Sequence, residues 1–121
     1  MEWYDFGAAE VEAGMPERQQ RTLAFTTNRA AAFDGVHLHL RALLDADTAL
    51  DARAQRTTWS CLYVRLLPTA EAVWLPAGSA IACRCAVDVA GECAHYAIEV
   101  EAAVPGEPLR SVASFAWSGD G

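Results

Sequence analysis

The sequence predicts an all-β fold: a single barrel-like or sandwich domain of mostly antiparallel strands, with no more than one short helical turn. Three observations lead there. Short apolar runs alternate with polar residues at a period of two, as half-buried strands do. Glycine, proline and aspartate fall between these runs at the spacing of a barrel or sandwich. With 53% apolar residues in 121, the chain can bury a real core, and at this size roughly two thirds of the unfolded surface is removed from water.

Residues 1–20 carry Gly7, Gly14 and Pro16 and read as an initial strand and loop ahead of a β-barrel domain over 21–121. Residues 21–27 alternate, with Leu23 and Phe25 on one face. Residues 28–34 read as a turn or a single helical turn ending at Gly35. In 36–44, Val36, Leu38, Leu40 and Ala42 alternate with His37, His39 and Arg41. That pattern outweighs the helix propensity of the alanines and leucines on either side. Residues 44–56, with Asp45, Asp47, Asp51 and Arg53, then form a loop that holds one helical turn. The nearly unbroken apolar run 59–67 predicts a strand buried on both sides, stopped by Pro68. Residues 72–75 form a short edge strand before Pro76 and Gly78. Residues 79–88 and 93–102 flank Val89-Ala90-Gly91-Glu92, a hairpin signal. After the turn Pro105-Gly106-Glu107-Pro108, residues 110–117 make the last strand.

The formal charge is −7, and all nine basic residues are arginine. A nucleic-acid partner would require a positive stripe, so that class is excluded. An acidic surface suits an arginine-containing peptide or protein through Coulomb steering and charge-assisted hydrogen bonds. No apolar run approaches the ~18 residues of a membrane span. The opening Met1-Glu2-Trp3-Tyr4-Asp5 lacks the basic and apolar blocks of a signal peptide, so a soluble cytoplasmic domain is the expectation.

Cys83-x-Cys85 and Cys93-x-His95 invite a zinc reading, since thiolate and imidazole ligands often come in close pairs. Strand alternation opposes it. Ile81, Cys83, Cys85 and Val87 share the inner face, whereas Cys93, His95, Glu99 and Glu101 lie opposite the apolar Tyr96, Ile98 and Val100. One ion cannot gather ligands from both sides of a sheet. Cys83 and Cys85 are therefore expected as small core residues, and no metal is assigned. His37 and His39 share a strand face without an evident third ligand. Ser60, Ser79, Ser111 and Ser114 sit in strand patterns with no Gly-x-Ser-x-Gly elbow, so no catalytic residue is assigned either.

Several segments fall in a family-like order: Phe33-Asp34-Gly35-Val36-His37-Leu38-His39-Leu40, then Thr57-Thr58-Trp59, Val73-Trp74-Leu75-Pro76-Ala77-Gly78 and Tyr96-Ala97-Ile98-Glu99-Val100. This order resembles the C-terminal β-barrel of the protein arginine methyltransferases, where a Thr-His-Trp loop meets the active-site edge. The resemblance implies Thr57, Thr58 and Trp59 as substrate-binding residues. It implies S-adenosylmethionine as the cofactor of a partner or missing domain, with none bound by this chain. Thr58 replaces the family's histidine and cannot titrate near neutral pH. The glycines are dispersed and form no donor-binding loop, and the family's paired-glutamate loop has no counterpart. The implied role is a non-catalytic wall of a peptide groove. Its partner would be a catalytic methyltransferase domain in cis or trans, with an arginine-containing peptide as ligand. Activity of the chain alone is not expected, and a homodimer stays open. A free-standing β-barrel binding a peptide or small ligand is the alternative, and a structural zinc module the third reading.

Overall fold

The computed structural model describes residues 17–56 and 61–118, and throughout them the chain is all-β. Its strands are β1 (Arg18–Thr26), β2 (Ala31–Phe33), β3 (Gly35–Leu38), β4 (Arg41–Leu43), β5 (Ala49–Asp51), β6 (Leu62–Arg65), β7 (Val73–Leu75), β8 (Ala80–Asp88), β9 (His95–Ala103) and β10 (Arg110–Ser118). A 3-10 turn, Thr69–Glu71, precedes β7. Among the described residues no sheet closes on itself. The strands form one open four-stranded sheet, β1-β8-β9-β10, and three two-stranded ladders, β2-β7, β3-β6 and β4-β5. The all-β class and the antiparallel pairing are as the sequence predicts; the sheets are open rather than barrelled. No helix among the described residues is long and apolar enough to cross a membrane.

The chain divides into two compact units, residues 1–32 with 73–121 and residues 33–72. In the first, the core lies on one side of the four-stranded sheet. Register places Cys83, Cys85 and Val87 of β8 across from Val100, Ile98 and Tyr96 of β9. Ile98 and Val100 are each 1% exposed, and Leu75, Ala102, Ala103 and Ala113 are buried with them. Phe115 and Trp117 of β10 continue this face, and Trp117 stacks on Tyr96 with ring centroids 5.0 Å apart. A bulge between Ser111 and Ala113 keeps β10 in step with β9.

The β7–β8 turn is tied to the end of β1. The Thr27 hydroxyl donates to Pro76 O (2.8 Å) and accepts from the Ser79 amide (2.9 Å). The fully buried Ser79 hydroxyl donates to the same carbonyl at 2.6 Å. Gly78 takes φ +83°, where a side chain would be strained, and its amide reaches Thr27 O at 2.8 Å.

The second unit departs furthest from the sequence reading. The alternation over 36–44 is not one strand. β3 pairs with β6 and β4 with β5, with the partner changing at His39 and Leu40. Alternation records facing, not partner, so it could not reveal the break. The predicted loop over 44–56 contains β5, hairpinned to β4 through an Asp45 turn, before a tight turn after Asp51. At the boundary between the units, residues 31–33, read as turn, form β2. The strand predicted as buried on both sides is the half-exposed β6. Leu62 is 55% exposed there, and among the described residues β6 pairs with β3 alone.

Candidate functional site

The other side of the four-stranded sheet carries the most developed surface feature of the first unit. Antiparallel register aligns its side chains in rows that cross all four strands. One row is Arg18, Asp88, His95 and Ser118; the next is Gln20, Ala86, Ala97 and Ala116; a third is Thr22, Arg84, Glu99 and Ser114. Rows on one face repeat every second residue, so the outer two stand roughly 13 Å apart, and four strands span about 14 Å. The first of these rows and the alanine row line a hollow of about 780 Å³. Gln19, Val87, Tyr96 and Trp117, which lie between these two rows along the strands and face the core side, are also among its lining residues. The third row, Thr22, Arg84, Glu99 and Ser114, lines a separate, smaller hollow of about 270 Å³ together with Glu101 and Ser111.

Each flanking row is braced by an ion pair. Arg18 Nε lies 2.8 Å from Asp88 Oδ2, and Arg84 Nη1 lies 2.9 Å from Glu99 Oε2. Both pairs are solvent-exposed and therefore weak and exchangeable. Asp88 is held below the usual carboxylate range by the Ala90 amide, which donates to Oδ1 at 2.9 Å, and then by Arg18. It stays anionic well into the acid range, a fixed negative point at the rim.

In the second unit, Tyr63 donates its hydroxyl to Asp34 Oδ1, and Arg65 Nε lies 3.8 Å from Asp34 Oδ2. The bond to Asp34, with burial behind it, pushes the Tyr63 phenol up. The rings of His37 and His39 are 5.6 Å apart, and His39 Nε2 lies 3.5 Å from Asp51 Oδ1. Asp51 itself is held low, chiefly by the Arg53 amide. Among the described residues no group of three or more His, Cys, Asp or Glu side chains is placed to hold a metal ion.

Thr57, Thr58 and Trp59, the substrate-binding residues implied by the resemblance, lie outside the described residues, as does Ser60. The two sides of the β8–β9 hairpin are arranged as alternation predicts. Cys83 and Cys85 are buried, with sulfurs 3.6 Å apart, while His95 stands on the opposite face in the row with Asp88. The contact with Cys85, and burial after it, push the Cys83 thiol up. Ser79 is no nucleophile, because its hydroxyl is spent on Pro76 O.

The alanine floor was not singled out from the sequence. Ala86, Ala97 and Ala116 are ordinary in an alanine-rich chain until register lines them up, and register is a long-range property. The signal was nonetheless available, since each sits at an outward-facing position of its strand. No protein-family profile, no curated protein and no solved structure matches this chain.

Proposed function

We propose that this chain is a non-catalytic recognition module that holds a short, extended, arginine-containing peptide across the solvent side of its four-stranded sheet. The alanine row between two charged rows of the sheet carries this reading. The two charged rows stand roughly 13 Å apart, about four residues of extended backbone. Small side chains in this row let a backbone approach closely, and Asp88 and Glu99 stand in the rows on either side of it for guanidinium groups. Each carboxylate already has an arginine, so a ligand guanidinium must displace an exposed partner that contributes little. The net charge of −7 favours a cationic ligand over an anionic one. The four free cysteines suit a reducing compartment, consistent with the cytoplasm.

Amide-resolved titration with a four- to six-residue arginine peptide, and with its citrulline counterpart, tests the reading. Shifts at Ala86, Ala97 and Ala116 that weaken with salt and vanish with citrulline are expected. Arg18→Gln removes a competing guanidinium and should tighten binding about two- to fivefold, whereas Asp88→Asn should weaken it by a similar factor. The opposite signs would identify an anionic ligand and overturn the proposal.

The same module would suit a catalytic arginine methyltransferase domain acting in cis or trans, with S-adenosylmethionine held there. One observation favours this second reading: Trp74, inside the segment 73–78 that carries the resemblance, is 65% exposed, as a docking surface would be. On this reading the isolated chain takes up no S-adenosylmethionine in calorimetry; micromolar binding would count against it.

A further inference from the structure

The apolar side of the four-stranded sheet holds a pair of groups that the peptide reading leaves unused. Cys83 and Cys85 point to the same side of β8, each 4% exposed, with Sγ atoms 3.6 Å apart. Across β9 they face Val100 and Ile98, and across β1 Leu23 stands beside Cys83 and Arg21 beside Cys85. Leu23 is 37% exposed, so the sulfurs lie one strand in from an accessible edge.

We propose that Cys83 and Cys85 form a bidentate site for a soft monovalent cation of the Cu(I) class. Three geometric arguments select that ligand. First, a disulfide is disfavoured. Residues two apart on a strand sit about 6.6 Å from each other along it, while a disulfide wants Cβ atoms about 3.8 Å apart. Closing the bond would bend the strand at the centre of the core, whereas bridging by an ion leaves both sulfurs near their present positions. Second, zinc is disfavoured because it takes four ligands. The nearby imidazole of His95 is on the other face of the sheet. A d10 monovalent ion is satisfied by two thiolates. Third, the facing positions are Val100 and Ile98 on β9 and Leu23 and Arg21 on β1, with no carboxylate among them. Such surroundings suit a soft ion of low charge bound to sulfur and penalise a hard dication. Binding is ligand exchange without change of oxidation state: each sulfur gives its proton to solvent, so two protons leave a fully protonated pair for each ion bound.

The test is anaerobic titration of the whole chain with Cu(I) against a chromogenic Cu(I) chelator. Cys61 is exposed and Cys93 half-buried, so both are first replaced in the variant Cys61→Ser/Cys93→Ser, which leaves the core intact. This variant is expected to retain one Cu(I) per chain, with a thiolate-to-copper absorption band and no retention of zinc. Adding Cys83→Ala or Cys85→Ala should remove that equivalent while circular dichroism reports an unchanged fold. Failure of the Cys61→Ser/Cys93→Ser variant to compete for copper would overturn the proposal, whether or not the core variants fold. Copper retained after the loss of either core thiol would overturn it equally. Peptide binding on the opposite face provides a separate readout, so the two proposals can fail independently.

Discussion

A methyl group added at Gly35 would stand 2.3 Å from Val64 O and 2.9 Å from the Tyr63 ring. The first of these neighbours is backbone in the paired β6, which cannot swing aside as a long side chain can. Gly35→Ala should therefore force β3 and β6 apart and destabilise their ladder by about 1–3 kcal/mol. A lowered urea midpoint, together with lost protection in the amides of residues 35–38 and 62–65, would be the expected result. An unchanged midpoint would show that the ladder adjusts freely. From sequence alone, this glycine reads as the end of a turn, because nothing local says that Tyr63 will lie against it. Facing at single positions was far more legible. Cys83, Cys85, Ile98 and Val100 are inward, and His95 outward, because a strand leaves a side chain only two directions.

Among the elements, the β8–β9 hairpin was readable and the β4–β5 hairpin was not, and the contrast has a physical source. Strands of nine residues repeat their alternation often enough to stand out, while strands of three carry a single repeat. The missing clue for β4–β5 lay in Asp45, whose carboxylate accepts the amides of Asp47 (2.8 Å) and Thr48 (2.7 Å) and so builds the turn by itself. These bonds hold Asp45 below its ordinary value of 3.8, the Asp47 amide foremost. A depressed carboxyl contributes stability that is complete above the unfolded-state value and is lost as pH falls through the folded one. The amides of Asp47 and Thr48 should thus keep their shifts at pH 4 and move together at lower pH. A transition at or above 3.8 would contradict the turn. Packing gives a second contrast between elements. Ile98→Ala in β9 should cost about 2–5 kcal/mol, but Leu62→Ala in half-exposed β6 should cost well under half of that, and denaturant midpoints of the two variants compare them directly.

For the whole molecule, stability should be unevenly distributed, and the distribution follows from strand length and neighbours. β8 and β9 each have nine residues and a paired strand on both sides. Their inward residues form the core, so few of their hydrogen bonds open without disrupting the sheet. In the second unit β3 and β6 share four paired positions, and β4 and β5 share three. Leu43, Leu44, Leu62 and Tyr63 stay half-exposed or more, so these ladders bury little apolar surface. A ladder with few buried contacts opens locally at a free energy below that of global unfolding. Amide hydrogen exchange should therefore be slowest in β8 and β9, and at least about a hundredfold faster in β3 to β6. In β8 and β9 it should follow the denaturant-derived stability, and Ile98→Ala should lower protection there. Gly35→Ala should lower it in β3 and β6 first. Uniform protection across all ten strands would instead mean that the 33–72 segment opens only with global unfolding, whatever its exposed leucines suggest.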